Sequence, residues 1–360
     1  MPIDTIYLTR HGHRLNWTID YKTGTYISQF RTPTGNPADP TLTSHGVRQS
    51  HELAAHLSSP SFHPKPFRVY SSPFYRCLQT IQPSVEALKE GQRIKMSGEE
   101  GEGREGRIDE AAVFDVRIEN GLGEWFGPTT FFHHPSPASP ATLQTHFPTI
   151  LAPSPTEPEP HMQTYKPILH PSTRGETIAQ LHDRVATTLS ALIAAADAEI
   201  ASLEASQDPA ERTSKALLIC SHAAPLIAMG RALTGNMPDD SGVEDFHVFT
   251  AGLSTFVRRR GEVGGRDGGL STRSLAPWTQ VVREDVEVPE WQGGRGVGGG
   301  WDCVANGDCS FLSGGAERGW HFDGDESFDT GPMAPESALP TSSQDASVSN
   351  EGGVSGTTKL

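Results

Sequence analysis

The chain has 360 residues, 35% of them apolar, with a formal net charge of −15 from 29 basic and 44 acidic side chains. That balance argues against a general binder of nucleic acid or anionic membrane, and no run approaches the roughly 18 apolar residues of a membrane span. Four cysteines in so long a chain make no disulfide framework, and the first residues lack the basic start and apolar stretch of a signal peptide, so an intracellular protein, cytoplasmic or nuclear, is expected.

In chain order, a strand is predicted over Asp4–Thr9, followed at once by Arg10-His11-Gly12. Residues 17–40 are polar and rich in Pro and Gly, and read as a loop. The apolar spacing predicts a helix over Thr43–Leu57, with Thr43 or Ser44 as its N-cap. A buried strand is expected at Phe67–Tyr70, and Pro73 suits the first turn of a helix reaching about Leu88. Residues 89–110 are charged, Gly-rich and almost free of apolar side chains, which predicts a disordered insertion. A strand at 112–118 runs into Glu119, Glu124 and Trp125, and 133–172 reads as a long loop with one short helix near Ala141–Phe147. The longest helix is expected over Glu176–Ser206. A central strand, apolar on both faces, covers Ala216–Cys220 and ends at Ser221-His222, before a helix over Pro225–Leu233.

Residues 246–258 and 277–283 are predicted to close the sheet, so that strands alternating with helices make residues 1–285 one layered α/β domain. Residues 286–324 form an extension docked on it through Trp301, Phe311, Trp320 and Phe322, with 301–322 the alternative protein-partner patch. Residues 325–360 read as a disordered acidic tail.

Ligands of α/β sheets bind beyond the carboxyl ends of strands, and chemistry-bearing side chains recur there. His11 can attack phosphorus through a neutral imidazole nitrogen, while Arg10, Arg14 and Arg76 offer guanidinium forks to phosphoryl oxygens. Ser221-His222 brings a second imidazole, and the amide of Ala223 faces an anion from a helix N-terminus. Glu124, beside Trp125, is the candidate general acid, with Glu119 as its competitor. Arginines and imidazoles supply the positive charge, so neither metal nor cofactor is expected. Cys303 and Cys309 lack a second ligand pair with metal spacing and read as reduced thiols.

The ordered set Arg10-His11-Gly12, Leu42–Gln49, Ser71–Thr80 with Arg76, Gly175-Glu176-Thr177 and Ser221-His222 resembles the histidine phosphatase superfamily over about residues 3–258. The resemblance implies a three-layer α/β/α sandwich of the phosphoglycerate-mutase-like kind, with a mostly parallel central sheet. It also implies His11 as the nucleophile that becomes phosphohistidine, Arg10, Arg76 and His222 on the phosphoryl group, and Glu124 protonating the leaving oxygen. His13-Arg14 stands where the mutases carry a small acid and hydroxyl pair, and Arg14 resembles an additional phosphate-binding arginine of the Sts phosphatases, which act on phosphotyrosine among other esters. Those departures favour a phosphatase over a mutase. Arg10–Trp17 and the motif Trp301–Phe322 are similar to a fungal subgroup that includes the histidine-phosphatase domain of the tau subunit of TFIIIC. The rival expectation is an assembly subunit that keeps the fold as a scaffold.

Overall fold

The computed structural model describes residues 2–20, 22–97, 108–152, 165–260, 273–283 and 286–322; the expected tail and residues 98–107 of the expected insertion lie outside the described residues. The elements are β1 (Thr5–Arg10), the hairpin β2 (Trp17–Asp20) and β3 (Thr25–Ser28), α1 (Ser44–Ser58), β4 (Pro66–Ser71), α2 (Tyr75–Ser97), β5 (Arg117–Ile118), α3 (Pro140–His146), β6 (Leu169–His170), α4 (Ile178–Leu203), β7 (Ala216–Ser221), α5 (Ala223–Thr234), β8 (Leu253–Arg258), β9 (Gln280–Val281) and β10 (Trp301–Asp308).

The six-stranded sheet runs β10-β8-β1-β7-β4-β5. β1, β7, β4 and β5 are parallel neighbours, and β8 is antiparallel to both β1 and β10. Every residue of β4 and β7 is buried, as expected for strands covered on both faces. Helices supply that cover in two packed pairs, α1 with α2 and α4 with α5. The result is an α/β fold with a mostly parallel sheet, as expected. α4 is long and apolar enough to cross a membrane by length and composition, but half of its residues face the core and it also buries His182, Asp183 and Arg184. It is a core helix.

Four expectations change. α2 continues to Ser97 rather than ending near Leu88, and starts at Tyr75, so Pro73 precedes it. The polar residues of its last turns are held by partners far along the chain: Gln92 donates to Ala112 O and Lys95 to Ile108 O. The hairpin β2–β3 occupies part of the expected 17–40 loop. β9 does not close the main sheet but pairs with β6 in a separate two-stranded sheet. Finally, part of the expected docked extension is a strand of the domain, because β10 pairs with β8 at the sheet edge. Trp291, Trp301 and Phe322 are buried in the main core, and Phe311 and Trp320 pack against it half-buried.

Candidate active site

β1 delivers His11 to the carboxyl end of the sheet, where its amide donates to Ser221 O of the adjacent β7 (3.0 Å). The ring is buried, and Nδ1 lies 2.9 Å from Gly12 O. A carbonyl only accepts, so Nδ1 carries the proton and Nε2 keeps a lone pair. Burial, then the positive fields of Arg76, Arg10 and Arg14, push the imidazole well below its usual value, so it is neutral at neutral pH.

The motif at 42–49 clamps the loop that follows. Thr43 caps α1 by accepting from Gly46 N (3.1 Å), and its own amide donates to His13 O (2.9 Å). Gln49 accepts from His13 N (2.8 Å), and Thr80 Oγ1 from Gly12 N (2.9 Å). The backbones approach so closely that a Cβ on Gly12 would meet Gly46 O at 2.9 Å, and one on Gly46 would lie 2.0 Å from His13 O.

Arg76, in the first turn of α2, is fully buried and joins the remaining groups. NH1 donates to Ala38 O (2.9 Å) and Asp39 Oδ1 (3.2 Å), and NH2 to Glu124 Oε2 (3.0 Å) and His222 Nδ1 (3.1 Å). Since Arg76 can only donate, Nδ1 of His222 accepts, and Nε2 donates to Ser72 Oγ at 2.7 Å. Burial and the neighbouring cations push His222 well below its ordinary value too. Arg10 NH1 is anchored on Val248 O (2.8 Å) and Arg318 O (2.5 Å). Arg14 NH1 donates to Leu15 O (2.9 Å), and its guanidinium lies 5.8 Å from the Trp17 ring centre. Burial lowers both Arg10 and Arg14 to about 10, and they stay charged at neutral pH. The Nε–H groups of Arg10 and Arg76 are buried without an acceptor. Such groups are costly unless a ligand satisfies them.

Of the two carboxylates left open by the sequence, Glu119 is wholly occupied. It is fully buried, Oε1 accepts from Gly121 N (2.8 Å), and Oε2 accepts from Tyr165 OH (2.6 Å) and Ile168 N (2.8 Å). Glu124 stands instead at the site, its Oε2 3.3 Å from His222 Nδ1 and its side chain 16% exposed. Its segment is held by the Gly175-Glu176-Thr177 motif. Buried Glu176 pairs with Arg184 (2.5 Å), Arg184 NH1 donates to Gly121 O (2.7 Å) and Gly123 O (3.2 Å), and Trp125 Nε1 donates to Glu176 O (2.9 Å). Ala223 is the first residue of α5, whose N-cap His222 makes no side-chain capping bond.

The structure therefore brings together His11, His222, Glu124, Arg10, Arg14 and Arg76, with the Ala223 amide following His222. Sequence reasoning missed Asp39, which fixes Arg76 and the Tyr75 amide (2.8 Å), as well as Ser72 and Arg184. A wall of rings also escaped it: Phe74 packs edge-on to His222 (5.0 Å), and Phe126 lies 6.4 Å from both Phe74 and Trp17. Among the described residues one donor set has metal-ligand spacing, His11, Glu124 and His222, whose atoms lie within 4.8 Å of one another. Arg76 already engages both Glu124 and His222, and the three arginines favour an anion there over a cation.

Residues 6–101, which carry Arg10, His11, Arg14 and Arg76, match the model of the histidine phosphatase superfamily (branch 1). The transcription factor tau 55 kDa subunit of Saccharomyces cerevisiae is 27% identical over 324 residues, covering 90% of this chain; the chain spans 59% of that relative's length. Among solved structures, the ecdysone phosphate phosphatase of Bombyx mori, in complex with tungstate, is similar at 18% identity and a TM-score of 0.46, covering 72% of this chain and 89% of that one. A mycobacterial glucosyl-3-phosphoglycerate phosphatase complexed with VO3 is similar at 17% identity and a TM-score of 0.36, covering 71% and 92%. Residues 6–101 thus match the histidine phosphatase model, and the chain gathers their Arg10, His11, Arg14 and Arg76 with Glu124 and His222 at one end of a mostly parallel α/β sheet.

Proposed function

We propose that the protein is a metal-independent phosphomonoester phosphatase acting through a phosphohistidine at His11. The observation that carries this reading is the pair of buried, unpartnered Nε–H groups on Arg10 and Arg76 beside a neutral His11. In the proposed reaction the phosphoryl oxygens take those donors, together with Arg14 and the Ala223 amide, while His222 holds Arg76 in place through Nδ1. Nε2 of His11 attacks phosphorus in line as the bond to the leaving oxygen breaks, and Glu124 gives that oxygen its proton. Water, deprotonated by Glu124, then attacks the phosphohistidine, releasing inorganic phosphate and the free imidazole. The wall of Phe74, Phe126 and Trp17 supports an aryl leaving group, phosphotyrosine-like, through ring packing.

Hydrolysis of an aryl phosphate in EDTA tests the reading. The wild-type chain is expected to turn over, His11→Ala to lose activity to background, and Glu124→Gln to fall by about 10²–10⁴-fold. Equal rates for wild type and His11→Ala overturn it.

The second reading, membership of a TFIIIC-like assembly in the nucleus with the fold as scaffold, is supported by the tau 55 kDa relative. It is separated from the first by a pull-down that survives His11→Ala while turnover is lost.

A further inference from the structure

After β10 the chain does not leave the domain but crosses the rim of the active site. Thr250 N donates to Glu317 O (3.1 Å), and the Glu317 carboxylate accepts from His45 Nε2 (2.5 Å) and Gln49 Nε2 (3.3 Å). The next carbonyl, of Arg318, accepts from Arg10 NH1 (2.5 Å). Two residues on, Trp320 packs against Trp125, the neighbour of Glu124, with ring centres 6.5 Å apart, and Phe322 does so at 5.6 Å. The segment is thus pinned at the His13 side, over Arg10, and beside Glu124.

Arg318 stands in the middle of that crossing. Its backbone has φ +54°, the left-handed region that a side chain occupies at a cost, and the bonds to its own carbonyl and to that of Glu317 hold it there. The side chain is exposed. Among the described residues it has no acidic partner, although its positive charge bears on Arg10, Arg14 and His13. Three arginines already line the site, against the carboxylates of Glu124 and Asp39, both of which pair with Arg76. A fourth, held in a strained conformation at the rim of a site in a chain of net charge −15, is a local attractor for further negative charge.

We propose that Arg318 binds a second anionic group of the substrate, so that the preferred substrate is a phosphomonoester carrying a carboxylate or another phosphate beyond the transferred phosphoryl group. The inference rests on the phosphatase reading of the site and narrows it to a substrate class. Three probes separate the possibilities: phenyl phosphate, its 4-carboxymethyl derivative, and 1,4-phenylene bisphosphate. Turnover is measured on the wild-type chain, Arg318→Glu, and Arg318→Asn, the last because Asn tolerates the left-handed backbone. Binding is measured calorimetrically on the same chains carrying His11→Ala.

The wild type is expected to favour at least one doubly anionic probe over phenyl phosphate by about five- to tenfold in kcat/KM and in affinity, as for a partly exposed charge-assisted contact. Whichever probe is preferred identifies carboxylate or phosphate as the second group. Arg318→Asn is expected to abolish the preference and Arg318→Glu to invert it. A merely structural role lowers all three probes in proportion and leaves the ratios intact, which overturns the proposal. Turnover of phenyl phosphate with ratios indifferent to residue 318 sinks the proposal and spares the phosphatase reading. No turnover with an Arg318-dependent binding preference does the reverse.

Discussion

The imidazole of His11 sets the lower pH limit of the proposed reaction. The nucleophile works only when Nε2 is unprotonated, and burial with three flanking guanidinium groups depresses its proton affinity well below 6.5. As pH falls through 6.5, His11 therefore stays neutral, and kcat/KM for an aryl phosphate, once the substrate's own second ionisation near about 6 is divided out, is expected to hold its plateau. Arg14→Gln removes one of the positive fields, so the His11 value rises and the acid limb moves toward 6.5. A limb in the wild type at 6.5 or above, or no upward movement in Arg14→Gln, contradicts the assignment. The residues of this argument were legible in the sequence because each sits in a short motif at a strand end. Asp39 was not: it reaches Arg76 across 37 residues, from a stretch with no helical or strand period.

Elements position what residues do, and α4 illustrates it. Its capping box, Thr177 with Gln180, begins the helix directly after Glu176, and about two turns later Arg184 returns to that carboxylate and to the carbonyls of Gly121 and Gly123. The helix thereby holds the turn bearing Glu124. Arg184→Met removes one partner of a buried pair and leaves Glu176 uncompensated, which is expected to destabilise the fold by about 3–5 kcal/mol and to lower kcat more than it raises KM. Denaturant unfolding and steady-state kinetics check both; a stability within about 1 kcal/mol of wild type refutes the clamp. The helix itself was readable from its apolar stripe, but Arg184 was not, since a buried arginine is visible only once its distant carbonyls are known. β10 escaped for a related reason. Its sequence, with Asn306, Gly307 and Asp308, is polar and its pairing bulged, and the strand is defined by β8 alongside it rather than by its own pattern.

At the scale of the molecule, buried neutral histidines govern acid stability. His134 Nε2 donates to Gly127 O (2.8 Å) and its Nδ1 faces Tyr26 OH (2.6 Å), while His182 Nδ1 donates to Ile178 O (2.7 Å). Both are depressed from 6.5 to about 4, by burial first, with Arg231 adding to the effect at His182. An unfolded chain protonates these rings near 6.5 and the folded chain does not until about 4, so the stability they contribute is present above 6.5 and is lost as pH falls toward 4. A depression of that size corresponds to roughly 3 kcal/mol apiece, a large part of the 5–15 kcal/mol typical of a folded protein. His11 and His222 act with the same sign. The buried carboxyls of Asp39 and Glu119, raised by burial, act with the opposite one. The contribution of one ring is therefore read as a difference. His182→Asn keeps a donor for Ile178 O but cannot titrate, so its unfolding free energy is expected to fall less steeply than the wild type's between pH 6.5 and 4. Parallel curves for the two proteins over that window mean that His182 is not a buried neutral imidazole in the folded state.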